Sequence, residues 1–154
     1  MATGATLDEL PGWARTLLGE ARVGHLGLLD GQGRPRVLPV TFAIADGEAW
    51  SVIDDKPKRR PPEELARLRW LRSRPQSSIT VDRYDEDWTR LAWVQLVGAT
   101  AAVPLAGRED VLATLAERYP QYRQARPPGP LLRLTPERVV CWAAGDPGSD
   151  DSGD

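Results

Sequence analysis

The sequence predicts a mainly β fold: a small antiparallel barrel of six strands, with about three helices. Three observations lead there. Six separate runs show two-residue alternation or are rich in β-branched and aromatic residues, as strands are. The first three runs are joined by turn signals too short for a parallel crossover: DGQGR at residues 30–34, and Asp46-Gly47. Finally, six strands in a chain of 154 residues leave exposed edges unless the sheet curls on itself.

The elements follow in order. Residues 1–6 show no apolar period and are expected to lack structure. From Leu7, the spacing Leu10, Trp13, Leu17, Ala21 lies on one helix face. Pro11 is tolerated only in a first turn, so Asp8 is expected to cap a helix over 9–20. The first strand is VGHLGLL, 23–29, whose two glycines let another backbone approach. The second is VLPVTFAIA, 37–45; Pro39 inside it implies an edge, a bulge or an unpaired position. The third is 49–53. Pro61, Pro62, Glu63 and Glu64 then open a second helix, proline first and acids at its positive end. Leu65, Leu68 and Leu71 form its buried stripe. The fourth strand is SSITVDRY, 77–84, followed by an acidic turn, Asp85-Glu86-Asp87. The fifth is 91–103, with a bend expected at Gly98. Val111, Leu112, Leu115 and Tyr119 make 108–119 an amphipathic third helix. An irregular connection over 120–130 leads to the sixth strand, 131–143, which Pro136 is expected to break near its middle. One domain over 7–144 is therefore expected, followed by a disordered acidic tail at 145–154.

Composition removes several classes of function. Formal net charge is −2, which offers no bulk attraction to nucleic acid. No apolar run approaches the roughly 20 residues that span a bilayer. No basic segment followed by an apolar one marks a signal peptide, and the single cysteine, Cys141, suits a reducing compartment, so a cytoplasmic location is expected. One histidine and one cysteine do not make a structural zinc site, and no nucleophile or triad can be assembled, so no metal ligand and no catalytic side chain is assigned. His25, on a strand, reads as a core histidine. Cys141 reads as a small buried apolar residue.

The charge is nevertheless segregated. In SVIDDKPKRR, residues 51–60, an apolar strand end gives way to four cations in five positions. Pro57 stops the strand, which puts Lys56, Lys58, Arg59 and Arg60 on a loop at a sheet rim. Two readings fit. Clustered Lys and Arg at a strand end hold an anionic group, Arg as a planar fork and Lys as a point charge. Alternatively, the stretch is a solvated charged turn. The arginines at 67, 69, 72 and 74 read mainly as a solvated helix face.

These residues carry a family likeness. A strand with an internal PVTF, a hairpin, a strand ending IDDKPKR and an Arg-rich helix together resemble the pyridoxamine-phosphate-oxidase-like, flavin-binding split barrel. The later run VDRYDEDWTRLAWVQLVG, 81–98, resembles the actinobacterial branch of that superfamily that uses the deazaflavin coenzyme F-420. The likeness runs from about Leu7 to Trp142. It implies a six-stranded, FMN-binding-like split barrel working as a homodimer, with cofactor clefts between subunits. Lys56, Lys58 and Arg59 then match the residues that take the cofactor phosphate. Pro39, Val40 and Thr41 match the strand whose backbone lies along the ring system. Ile53 and Asp54 would lie near the ribityl chain. Trp88 and Trp93 are candidates for a wall over the ring or the substrate; otherwise Trp93 is core and Trp88 packs under a turn. The implied activity is hydride transfer between F-420 and a small organic molecule. An FMN-binding oxidase and a non-catalytic cofactor carrier are the alternatives.

Overall fold

A computed structural model of the chain describes residues 1–53 and 65–145. Asp54, Lys56, Lys58 and Arg59, with the start of the second helix, lie outside the described residues, as does the tail from 146. The strands are β1 (Ala2–Gly4), β2 (Gly24–Leu29), β3 (Pro35–Val40), β4 (Ala43–Ala45), β5 (Glu48–Val52), β6 (Gln76–Arg83), β7 (Ala92–Val103) and β8 (Leu131–Ala143). The helices are α1 (Gly12–Glu20), α2 (Ala66–Ser73), α3 (Glu109–Arg118) and the single turn α4 (Gln121–Gln124).

All eight strands form one antiparallel sheet, in the order β3-β2-β6-β7-β8-β5-β4, with β1 beside the C-terminal half of β8. Six strands were expected, and both extra ones have a local cause. The expected second strand divides at Thr41-Phe42 into β3 and β4, which pair with different neighbours. Ala2–Gly4, expected to lack structure, pairs with Val139–Cys141, because β5 covers only Leu131–Leu134 on that edge of β8. The sheet is mainly β with four α-helices among the described residues, against three expected.

The order of strands dictates the curl. β3 and β4 lie at opposite ends of the sheet, six interstrand spacings apart, which would be about 29 Å if it were flat. Yet Val40 and Ala43 are only three Cα–Cα steps apart, at most about 11 Å. The sheet therefore has to roll until its two ends nearly meet. No ladder joins β3 to β4 among the described residues, so the roll is open along one seam, consistent with a split barrel.

Smaller expectations change too. The first helix starts after Pro11, not at Glu9. Leu10, preceding a proline, is held extended (φ −71°, ψ 141°), which separates a 3-10 turn at Leu7–Glu9 from α1. Asp8 caps nothing; Pro11 stands at the N-cap. Pro136 does not break β8. It sits opposite Gly98 at a bulge, where the register shifts and Glu137 becomes the extra residue. Gly98 is needed there, because a Cβ would lie 2.0 Å from the Thr135 carbonyl oxygen. The Asp46-Gly47 turn is as expected, with both residues at positive φ (55° and 74°).

Inward-facing Leu26, Ile79, Val81, Val94 and Leu96 pack with Leu17 and Leu18 of α1 and Leu68 and Leu71 of α2. Cys141 is fully buried in this core. α3 closes a second cluster, with Val111 and Leu115 on Trp50 and Leu131. The whole indole of Trp50 is buried, and its N–H donates to the Ala45 carbonyl at 3.0 Å. His25 is not in the core: it is exposed, because on β2 the buried positions are Gly24, Leu26 and Leu28.

The β2–β3 turn is built by Asp30, a carboxylate only 2 % exposed. It accepts the backbone N–H groups of Gln32 (2.9 Å) and Arg34 (3.0 Å) and the Arg34 Nε–H (3.0 Å). The same turn holds α2: Arg74 donates to the Asp30 carbonyl at 2.8 Å, and Arg36 stacks 5.0 Å from the Trp70 ring. The Arg34 backbone N–H above all, then that of Gln32 and the Arg34 side chain, lower the Asp30 pKa from 3.8 to about 2, although its burial pulls the other way. A depressed folded-state pKa supplies stability above the unfolded value, and that stability is lost as pH falls through the folded one. The stability difference between the protein and Asp30→Asn is thus expected to hold steady above 3.8 and to shrink as pH approaches about 2. Urea melts at stepped pH would read this; a gap that does not narrow would mean the carboxylate's charge does not support the turn.

Candidate functional site

The seam is the least satisfied part of the sheet. β4 pairs with β5 through Ala43↔Trp50, Ile44↔Ala49 and Ala45↔Glu48. Continued by two and three steps, that register would put Thr41 opposite Val52 and Val40 opposite Ile53. The chain turns away instead to follow β2, where Val40 pairs with Gly24 and Pro39 with His25. Thr41 and Phe42 belong to no ladder, and Ser51 and Val52 are paired only on their β8 side. Two strand edges therefore flank the gap with backbone groups left over.

The parting is held by side chains from the end of α3. Phe42 donates its N–H to the Tyr119 hydroxyl at 3.2 Å. That hydroxyl in turn donates to the Arg22 carbonyl (2.8 Å) or the Phe42 carbonyl (3.1 Å). One buried phenol thus takes over the bonds that a ladder would have made to Phe42. Thr41 Oγ1 lies 2.5 Å from the Tyr122 hydroxyl. The two tyrosine rings meet edge to face, 5.9 Å apart. Guanidinium groups stack on Tyr119 from Arg22 (4.9 Å) and Arg118 (5.5 Å), and Arg118 also lies 5.0 Å from the Phe42 ring. Arg118 donates to the carbonyls of Leu18 and Ala21 at the end of α1, a favoured place for a cation.

The other flank is equally anchored. Ile53 is buried and exchanges backbone bonds with the 129–130 segment: its N–H to the Pro130 carbonyl (3.0 Å), its carbonyl from the Gly129 N–H (3.2 Å). The chain thus leaves the seam at a fixed point and returns at Leu65 to a helix pinned by Arg74. The sequence-assigned phosphate residues Lys56, Lys58 and Arg59, and Asp54, belong to the stretch between, outside the described residues.

Of the described candidates, Pro39, Val40 and Thr41 lie along one flank of the seam and Ile53 ends the other. Trp93 is half-buried, set between Asp82 and Trp142 in the ladder. By strand alternation Trp93, Gln95, Thr80 and His25 share the sheet face turned away from α1 and α2; Gln95, Thr80 and His25 form the row that leads to Pro39. Trp88 stands apart. It is 69 % exposed on a turn fixed by Asp87, which accepts from the Thr89 N–H and hydroxyl, and by Asp85, which meets Arg90 at 3.4 Å. It does not pack under that turn. Sequence reasoning missed Tyr119 and Tyr122 as site residues. Their signal was available: a tyrosine ending the apolar stripe of a helix has a hydroxyl that must find a partner once buried.

No known family's sequence profile matches the chain. Over 101 residues, 66 % of this chain, it is 32 % identical to the "Probable tRNA pseudouridine synthase B" of Picrophilus torridus, but it spans only 24 % of that protein. Solved structures resemble it over much greater lengths. A conserved hypothetical protein from Mycobacterium tuberculosis superposes with a TM-score of 0.71 at 20 % identity, covering 98 % of both chains. An FAD-binding protein from Mesorhizobium loti gives 0.62 at 20 % identity, covering 92 % of this chain and 97 % of that one. An F-420 reductase gives 0.60 at 18 %, covering 85 % and 98 %. A heme storage protein from Vibrio cholerae gives 0.61 at 20 %, covering 84 % and 90 %. At these identities the likeness establishes the fold.

Tyr119→Phe removes the hydroxyl and strands the buried Phe42 N–H. A loss of about 1–3 kcal/mol of stability is expected, the range for an unsatisfied buried polar group. Urea denaturation of the variant beside Tyr122→Phe, expected to lose less because that ring is only half-buried, checks this.

Proposed function

We propose that the chain is an oxidoreductase that binds a phosphate-bearing flavin-type coenzyme at the seam, and that this coenzyme is F-420. The observation that carries the reading is the seam itself. Thr41 offers an unpaired backbone edge along one flank, and Ile53 marks the opposite flank, where the cationic stretch of the sequence begins. A flat heterocycle with hydrogen-bonding edges suits the backbone of Thr41, which belongs to no ladder, and the edge of Pro39 and Val40 that β2 does not cover. Lys56, Lys58 and Arg59 would hold its phosphate, as charge-assisted donors do. Ile53 and Asp54 would line the sugar-alcohol chain between them. Trp93, on the face that leads to Pro39, would wall the ring. When bound, the coenzyme supplies the hydride, and the protein supplies position and field.

The choice of F-420 over FMN is supported by the likeness of residues 81–98 to the deazaflavin branch and by the fold shared with an F-420 reductase. The FAD-binding neighbour keeps an FMN-type flavin as the rival ligand of the same seam, and the heme storage neighbour keeps a carrier role as the rival to turnover. A tRNA-modifying role has less support, since that match reaches only 24 % of the relative's length. A homodimer belongs to the proposal: Val37, 66 % exposed, and Trp142 lie on the same sheet face as Trp93, turned away from α1 and α2, and a second copy would cover them.

Titrating the purified protein with F-420 and, in parallel, FMN, followed by coenzyme fluorescence, tests the reading. Saturation by F-420 at about micromolar concentration is expected, with FMN weaker. Lys58→Ala is expected to weaken F-420 by roughly 1–3 kcal/mol while leaving the melting temperature of the ligand-free protein unchanged. Equal affinity of Lys58→Ala and the parent would move the phosphate elsewhere. No saturable signal with either coenzyme would end the proposal.

A further inference from the structure

We propose that a groove between α2 and the end of β7 binds a small amphipathic acid: one apolar ring, one carboxylate and one O–H or N–H donor. The groove has a volume of about 320 Å³. That is at the small end of ligand pockets, which run from about 300 to 1,000 Å³, so it takes a single ring and not a fused tricyclic one. Leu68 and Leu71 of α2 form an apolar floor, and Pro75, Ala101 and Ala102 close the corner and the far wall.

Two polar residues line this apolar surface, and their chemistry specifies the ligand. The first is Arg72, exposed at the rim and without an acid or carbonyl partner among the described residues. α2 and the residues flanking it, 65–75, carry four arginines and no acid. An anion beside Arg72 therefore relieves repulsion as well as gaining a charge-assisted bond. The second is Thr100, only 3 % exposed and lining the groove. Ser77 donates its hydroxyl to the Pro75 carbonyl at 3.0 Å. Its oxygen, 2.5 Å from Thr100 Oγ1, is then left to accept the Thr100 proton. The Thr100 oxygen keeps its lone pairs, and in the proposed complex it accepts from the ligand's donor. The Thr100 N–H also donates to the Pro75 carbonyl at 2.8 Å, which fixes this wall. A cation at the mouth and a fixed acceptor on the wall, with carbon between, describe a hydroxylated or amino-substituted aromatic or branched acid. The assignment uses described residues alone and does not depend on the coenzyme proposed above.

The probe is 4-hydroxyphenylacetate, compared with 4-hydroxyphenylacetamide, which lacks the charge, and phenylacetate, which lacks the donor. Backbone amide shifts of isotopically labelled protein report binding residue by residue. The hydroxy acid is expected to shift the amides of 68–72 and 100–102 saturably, with a dissociation constant of about a millimolar, and both analogues to bind more weakly. Arg72→Gln should weaken the acid by about fivefold or more and leave the amide analogue where it was. Arg72 is exposed and bonded to no core group, so this variant folds. Absence of saturable shifts at these amides up to about 10 mM would overturn the proposal, as would equal affinity of Arg72→Gln and the parent for the acid.

Discussion

The architecture depends on a two-residue crossing. Between Val40 and Ala43 the chain passes from one end of the sheet to the other, and no relaxed, flat sheet permits so short a passage. The curl, the seam and the position of every strand relative to it follow from that single limit of length. At Phe42, what the crossing forfeits in ladder bonds is taken up by one phenol. The Tyr119 hydroxyl meets both the N–H and the carbonyl of Phe42, and Arg22 and Arg118, both against its ring, tie it to the end of α1. Buried backbone groups rarely stay unbonded, so a break of this kind persists only where side chains replace the missing strand.

The helices divide this work. α1 and α3 are joined through Arg118 and Arg22, which reach across to each other's ends near the crossing. α2 is fastened at the opposite margin, by Arg74 and Trp70, to the β2–β3 turn that Asp30 organises. Both margins of the chain's one undescribed internal stretch thus begin and end on firmly bonded residues, Ile53 on one side and α2 on the other. Such a frame would keep the ordering cost low for the coenzyme binding proposed at that stretch.

Much of this was legible in the residues. Alternation and turn chemistry located strands within a residue or two, and Asp46-Gly47 announced its turn because few other pairs accept positive φ twice. The division of the second strand was not legible, since Thr41 and Phe42 have good strand propensity. Only the hydroxyl of Tyr119, 77 positions away, makes the break affordable. Pro136 misled for a related reason: its penalty disappears opposite a glycine that lets the bulge form. His25 misled because alternation was read for the strand as a whole and not for its phase. The candidate site was legible in part. Pro39 to Thr41 do flank the open seam, whereas the tyrosines beneath it act through tertiary contacts that no local pattern displays.

The lone thiol has a practical consequence. Cys141 lies near the C-terminal end of β8, bordered in the ladder by Val94 on one strand and Ala2 on another, with no solvent access. A maleimide or disulfide reagent can reach it only after those neighbours separate. Its modification rate is therefore a built-in clock for breathing of the sheet, and protection by any added small molecule would report how far that molecule quiets the closed state.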